Sequence, residues 1–102
     1  MPTKIELIVD NLDDDAAFDA ALPGLLELAR ALPALQRIES GRVWPKEDGT
    51  ATPAFRTVDL YFAGYDEASA ATSSAEGGAF FPAFFGAAGG KVTGLFTDIE
   101  SA

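Results

Sequence analysis

The chain of 102 residues is sized for a single domain, residues 1–102, and its 48% hydrophobic content is enough for a packed core. Sixteen acidic residues against seven basic ones leave a net charge of −9, which argues against nucleic acid and anionic membrane surfaces as partners. Cysteine and histidine are both absent, so no disulfide, zinc site of the usual ligands, thiol nucleophile, imidazole base or histidine-ligated haem can be built, and no metal is expected.

Lys4 is followed only by Ile5 to Val9, interrupted by Glu6, a stretch too short and too polar for a secretory leader. No run approaches membrane-spanning length, and a soluble cytoplasmic protein is the expectation. From Lys4 to Asp10 the residues alternate: Ile5, Leu7 and Val9 point one way, Lys4, Glu6, Ile8 and Asp10 the other, as in a strand with one apolar face. The acidic turn Asn11 to Asp15 offers Asp13, Asp14 or Asp15 as a helix cap, and all three favour the positive helix end. It lacks the further spaced oxygen ligands and closing Glu of a calcium loop.

Helical spacing then takes over through Phe18, Leu22, Leu25, Leu26, Leu28, Ala29 and Leu32. Pro23 should kink or divide this helix near Ala20 to Leu22, and Pro33 should end it. The stretch Ala29 to Val43 reads as a helix end, a proline-marked break and the start of a new strand. That second strand spans Leu35 to Trp44, with Ile38, Ser40, Arg42 and Trp44 on one face and Arg37, Glu39, Gly41 and Val43 on the other. Neither face is cleanly apolar, and a bulge near Ser40–Gly41 is expected.

A polar loop from Pro45 to Pro53 leads to the clearest strand, Phe55 to Ala63, with Val58, Leu60 and Phe62 on one face and Thr57, Asp59 and Tyr61 on the other. Asp66 is a candidate cap for a helix from Glu67 to Thr72, and Ser73 or Ser74 caps a second helical piece. That piece carries Phe80, Phe81, Phe84 and Phe85, a wide apolar stripe interrupted by Pro82. Lys91 to Ile99 is the last strand, with Val92, Gly94 and Phe96 on one face and Thr93, Leu95, Thr97 and Ile99 on the other.

The order β-α-β-β-α-β predicts a ferredoxin-like α+β plait, a four-stranded antiparallel sheet with its helices on one face. The sets Ile5/Leu7/Val9, Val58/Leu60/Phe62 and Val92/Phe96 belong under the helices. The opposite face then holds Glu6, Ile8, Asp59, Tyr61, Thr93, Leu95 and Thr97, joined in this reading by Arg42 and Trp44. Apolar bulk with a few convergent polar groups suits a pocket lining. Closing two such faces on each other yields a homodimer in the form of a dimeric α+β barrel.

At the segment ARALPALQRIESGRV the chain resembles the EthD-like family, small dimeric α+β barrel proteins named from an ethyl tert-butyl ether degradation operon. The parallels are the strand KIELIVD, the pair Phe18-Asp19, Leu-Ala-Arg followed by Leu-Pro-x-Leu at 28–35, a strand ending Arg42-Val43, and Ser-x-x-Glu-Gly at 73–77. The resemblance implies a cytoplasmic dimer whose barrel binds an apolar or aromatic small molecule. Related barrels act as cyclases, dehydratases, isomerases or cofactor-free monooxygenases, and others bind haem. Family members often carry a histidine roughly where Leu25 stands here, so a proton-transfer role attached to that histidine does not carry over.

Asp59 and Tyr61 are the candidate catalytic pair, two apart on one strand face: a shielded carboxylate as base and a phenol to orient a carbonyl. The bland alternative pairs Asp59 with Arg42 or Lys4 and packs Tyr61 in an interface. Glu6, Arg42, Trp44, Phe81 and Phe85 are the candidate substrate-binding residues, although Arg42 also suits a cross-strand ion pair and the phenylalanines also suit a core. No cofactor is expected. One functional expectation is a cofactor-free cyclase, isomerase or oxygenase acting on a small hydrophobic or aromatic molecule; the other is a non-catalytic ligand-binding or accessory homodimer. An RNA-binding module shares the topology, but FRTVDLYFA lacks the basic-glycine-aromatic pattern such a strand would need.

Overall fold

The computed structural model describes residues 1–102. Its elements run β1 (Thr3–Val9), α1 (Asp15–Arg30), β2 (Arg37–Arg42), β3 (Arg56–Phe62), α2 (Tyr65–Ser73), α3 (Ala75–Ala87) and β4 (Val92–Asp98). The sheet is antiparallel throughout, in the order β2-β3-β1-β4, the ferredoxin-like arrangement. It is not closed into a barrel, contrary to the dimeric α+β barrel expected from the sequence. Two central strands hold the edges β2 and β4 apart, and four strands are too few to bend round until those edges meet. The result is a slab of 39 × 31 × 18 Å.

The core lies between the sheet and the helices, where period-two strands meet period-3.6 helices. Thr3, Ile5, Leu7 and Val9 of β1 and Val58, Leu60 and Phe62 of β3 are buried on this side. Against them α1 packs Phe18, Leu22, Leu25 and Ala29, and α3 packs Phe80 and Phe84. Phe18 sits edge-on to both Phe55 and Phe84, with ring centroids 5.7 and 5.5 Å apart, a favoured aromatic geometry.

Asp14 is the cap of α1, its side chain accepting from the Ala17 N–H at 3.0 Å. Pro23 does not divide α1, which is continuous across it, and Pro23 itself is exposed. Pro82 likewise lies inside a continuous α3. Gly64 rather than Asp66 precedes α2, and Asp66 falls in its first turn. Ser74 breaks α2 from α3 and accepts from the Gly77 N–H at 3.0 Å. The bulge expected near Ser40–Gly41 is absent: Ser40 pairs with Val58 and Gly41 with Thr57 in unbroken register.

Candidate functional site

Strand pairing lines up the open face of the sheet in rows. One row reads Glu39, Asp59, Glu6 and Leu95 across β2, β3, β1 and β4; the next reads Arg37, Tyr61, Lys4 and Thr97. Directly opposed side chains lie within about 5.5 Å at Cβ, so three carboxylates are neighbours. Two of them have partners. Lys4 Nζ is 3.7 Å from Glu6 Oε2, and Arg37 Nη1 is 2.5 Å from Glu39 Oε2. The Tyr61 hydroxyl donates to Glu39 Oε1 at 2.6 Å, and the Arg37 guanidinium stacks 3.8 Å above the Tyr61 ring.

These contacts set the proton affinities. The Tyr61 hydrogen bond and then Arg37 hold Glu39 below its ordinary value, and the same Glu39 bond holds the Tyr61 proton on. Asp59 has no such partner: its Oδ1 is buried and unbonded. Burial first, and the charge of Glu6 second, push the Asp59 carboxyl up to about 6. Beside it, Gly41 has no side chain, and a polar hollow of about 450 Å³ opens between Glu39, Ser40, Gly41, Thr57 and Asp59.

The structure therefore brings Asp59, Tyr61 and Glu6 to one face, as their alternation predicts. Arg42 is not with them. The register puts Ile38, Ser40 and Arg42 on the same side as Leu60, Val58 and Arg56, the helix side. There Arg42 Nη2 lies 2.6 Å from Asp19 Oδ2, while Arg56 Nη2 lies 3.0 Å from Asp19 Oδ1. One carboxylate of α1 thus clamps both strands, and the ion pair expected between Arg42 and Glu6 or Asp59 does not form. Trp44 follows the end of β2 and is 85% exposed, off the open face. The residues that do share the face from β2 are Arg37 and Glu39. Their opposite charges, two apart like Asp59 and Tyr61, are the available signal, although the sequence reading puts the other parity of β2, with Arg42 and Trp44, on this face.

Phe81 and Phe85 lie on the far side of the sheet from Asp59. With Ile5, Leu7, Thr72, Gly94 and Phe96 they line a cleft of about 370 Å³ between α3 and the β1–β4 edge. Gly94 keeps it open, since it stands opposite Leu7 with no side chain of its own. Phe96 forms one lip: it is 44% exposed and meets the Tyr65 ring at 5.4 Å. The sequence-derived site is accordingly split by the sheet into a polar half and an aromatic half.

No family model matches the sequence, and no curated protein matches it. Solved structures do. A crystal structure of an ethyl tert-butyl ether degradation (EthD) family protein from Bacillus halodurans superposes with a TM-score of 0.89 at 20% identity, covering 97% of this chain and 99% of that one. The chain has the fold of an EthD family protein. The likeness read from KIELIVD, Leu-Pro-x-Leu and their neighbours is thus matched over nearly the whole length. A dimeric ferredoxin-like protein of unknown function from a Jannaschia species gives a TM-score of 0.67 at 11% identity, covering 96% and 98% of the two chains. SnoaB, a cofactor-independent oxygenase from Streptomyces nogalater, gives 0.61 at 11% identity, covering 99% and 94%. No group of carboxylates in this EthD-like fold is arranged to hold a metal ion, and no helix is long and apolar enough to cross a membrane.

Proposed function

We propose that the protein is an EthD-type homodimer, each chain of which binds one small hydrophobic molecule in the cleft between α3 and the β1–β4 edge. The observation that carries this reading is the lining: Ile5, Leu7, Phe81, Phe85 and Phe96 around about 370 Å³, within the roughly 300–1,000 Å³ of small-molecule sites. No titratable group lines it, so binding, rather than proton transfer, is the activity it supports. Association through the open sheet face fits both the dimeric description of the Jannaschia relative and the exposure of Leu95 at 44% among charged neighbours. Fluorescence titration with naphthalene tests the cleft: saturation at one molecule per chain is expected, weakened at least about tenfold by Gly94→Val, which fills the space. Unaltered binding by that variant would overturn the assignment. Light scattering after gel filtration should give twice the chain mass, and a monomer at micromolar concentration would refute the dimer.

A second reading rests on Asp59. With its carboxyl near pH 6 beside a polar hollow, it suits a general base in cofactor-free proton transfer, with Glu6 as neighbour, while the Tyr61 hydroxyl proton is committed to Glu39. Deuterium exchange into 2-tetralone, accelerated by the protein and lost in Asp59→Asn while naphthalene binding persists, is the result this reading requires.

A further inference from the structure

Thr72 is the one residue with a polar side chain in the lining of the aromatic cleft. Its hydroxyl proton is already engaged: Oγ1 donates to the Ser69 carbonyl of the same helix at 2.7 Å. A hydroxyl has one proton and two lone pairs, so what Thr72 still offers to a neighbour is acceptor capacity alone. The side chains of Ile5, Leu7, Phe81, Phe85 and Phe96 offer neither donor nor charge. The net charge of −9 further disfavours an anion.

Resting on the reading that this cleft holds a small molecule, we infer that Thr72 is its specificity-determining residue and selects an uncharged aromatic compound bearing one hydrogen-bond donor. A hydroxyl or N–H on such a compound meets a lone pair of Thr72 Oγ1. A carbonyl, ether or carboxylate on the same skeleton sets acceptor against acceptor, and its oxygen is desolvated without a partner. Discrimination by one such bond is on the order of tenfold.

The experiment compares 2-naphthol, its methyl ether and naphthalene by fluorescence titration at neutral pH, where the naphthol is uncharged. The wild-type protein should bind 2-naphthol about tenfold more tightly than the ether. Thr72→Val, which keeps the shape and removes the hydroxyl, should bring that ratio to about one. Thr72→Ser, which keeps the hydroxyl, should restore the preference and serves if the valine variant does not fold. A ratio near one in the wild type, or a ratio unaltered by Thr72→Val, overturns the inference while the cleft assignment stands. Failure of all three compounds to bind the wild type overturns the cleft assignment and the inference with it.

Discussion

Asp59 and Glu6 face each other across the β1–β3 ladder, a carboxylate directly opposite a carboxylate. Such a pair is destabilising when both are ionised. Lys4 reaches Glu6 at 3.7 Å, which leaves Asp59 as the member that keeps its proton, up to about pH 6.

That relationship fixes a sign. The folded-state value of Asp59 is raised from 3.8 to about 6, so its stabilising contribution is complete below the unfolded value and lost as pH rises toward 6. Asp59→Asn should therefore stabilise the protein above pH 6, by about 1 kcal/mol once solvent screening of this half-exposed group is allowed for. Urea unfolding between pH 4 and 7 checks it. The variant-minus-wild-type difference should grow across that window, and a flat difference would show that the pair does not couple to folding.

Asp19 holds Arg42 and Arg56 together, and Arg56 also donates to Ser40 Oγ at 3.3 Å. The Arg56 side chain is only 13% exposed, so removing its carboxylate leaves a shielded guanidinium without its counter-charge. Asp19→Ala should cost about 1–2 kcal/mol, more than an ordinary surface ion pair. A loss below about 0.5 kcal/mol in urea unfolding would mean the clamp is solvated in practice.

How far the sequence reached depended on how one-sided each segment is. In β1 and β3 every second residue is large and apolar, and those residues are buried as their alternation predicts. In β2 the residues RIESGR have one half-buried apolar member, Ile38, so hydrophobicity could not decide which parity faces the open side. Pairing with β3 decides it, and pairing is a long-range property: Gln36 N–H to the Tyr61 carbonyl at 2.8 Å sets the register. For that reason the sequence alone puts Arg42 and Trp44 on the open face, where the pairing puts Arg37 and Glu39. Phe81 and Phe85 were legible as apolar, but whether they fill a core or border a cleft depends on Gly94, distant in sequence.

Gly77 and Gly78, adjacent in the first turn of α3, should respond oppositely to the same change. A Cβ on Gly77 would lie 2.2 Å from the Ala71 carbonyl oxygen and 2.9 Å from that of Thr72, both backbone atoms that cannot swing aside. A Cβ on Gly78 meets nothing within 4 Å. Gly78→Ala should stabilise by about 0.5–1 kcal/mol through helix propensity. Gly77→Ala should destabilise by about 2 kcal/mol or more, because α2 and α3 must separate. Thermal melts of the two variants side by side test the close approach; equal shifts would contradict it.

Ala34 stands in the Leu-Pro-x-Leu segment at φ 62°, the one non-glycine residue in the left-handed region. The chain needs that reversal there. The Leu32 N–H still bonds the Ala29 carbonyl at 3.0 Å, Pro33 has no N–H to continue the ladder, and by Gln36 the backbone is already bonded to β3. An alanine Cβ in this conformation costs roughly 1–2 kcal/mol. Glycine removes that strain but adds about 0.5–1 kcal/mol of unfolded-chain entropy. Ala34→Gly should thus raise stability by about 0.5–1 kcal/mol, and Ala34→Val, whose branched side chain tolerates this region least, should lower it. Urea unfolding of the two variants separates strain from flexibility: a glycine variant less stable than the parent would show that Ala34 is not strained in the native turn.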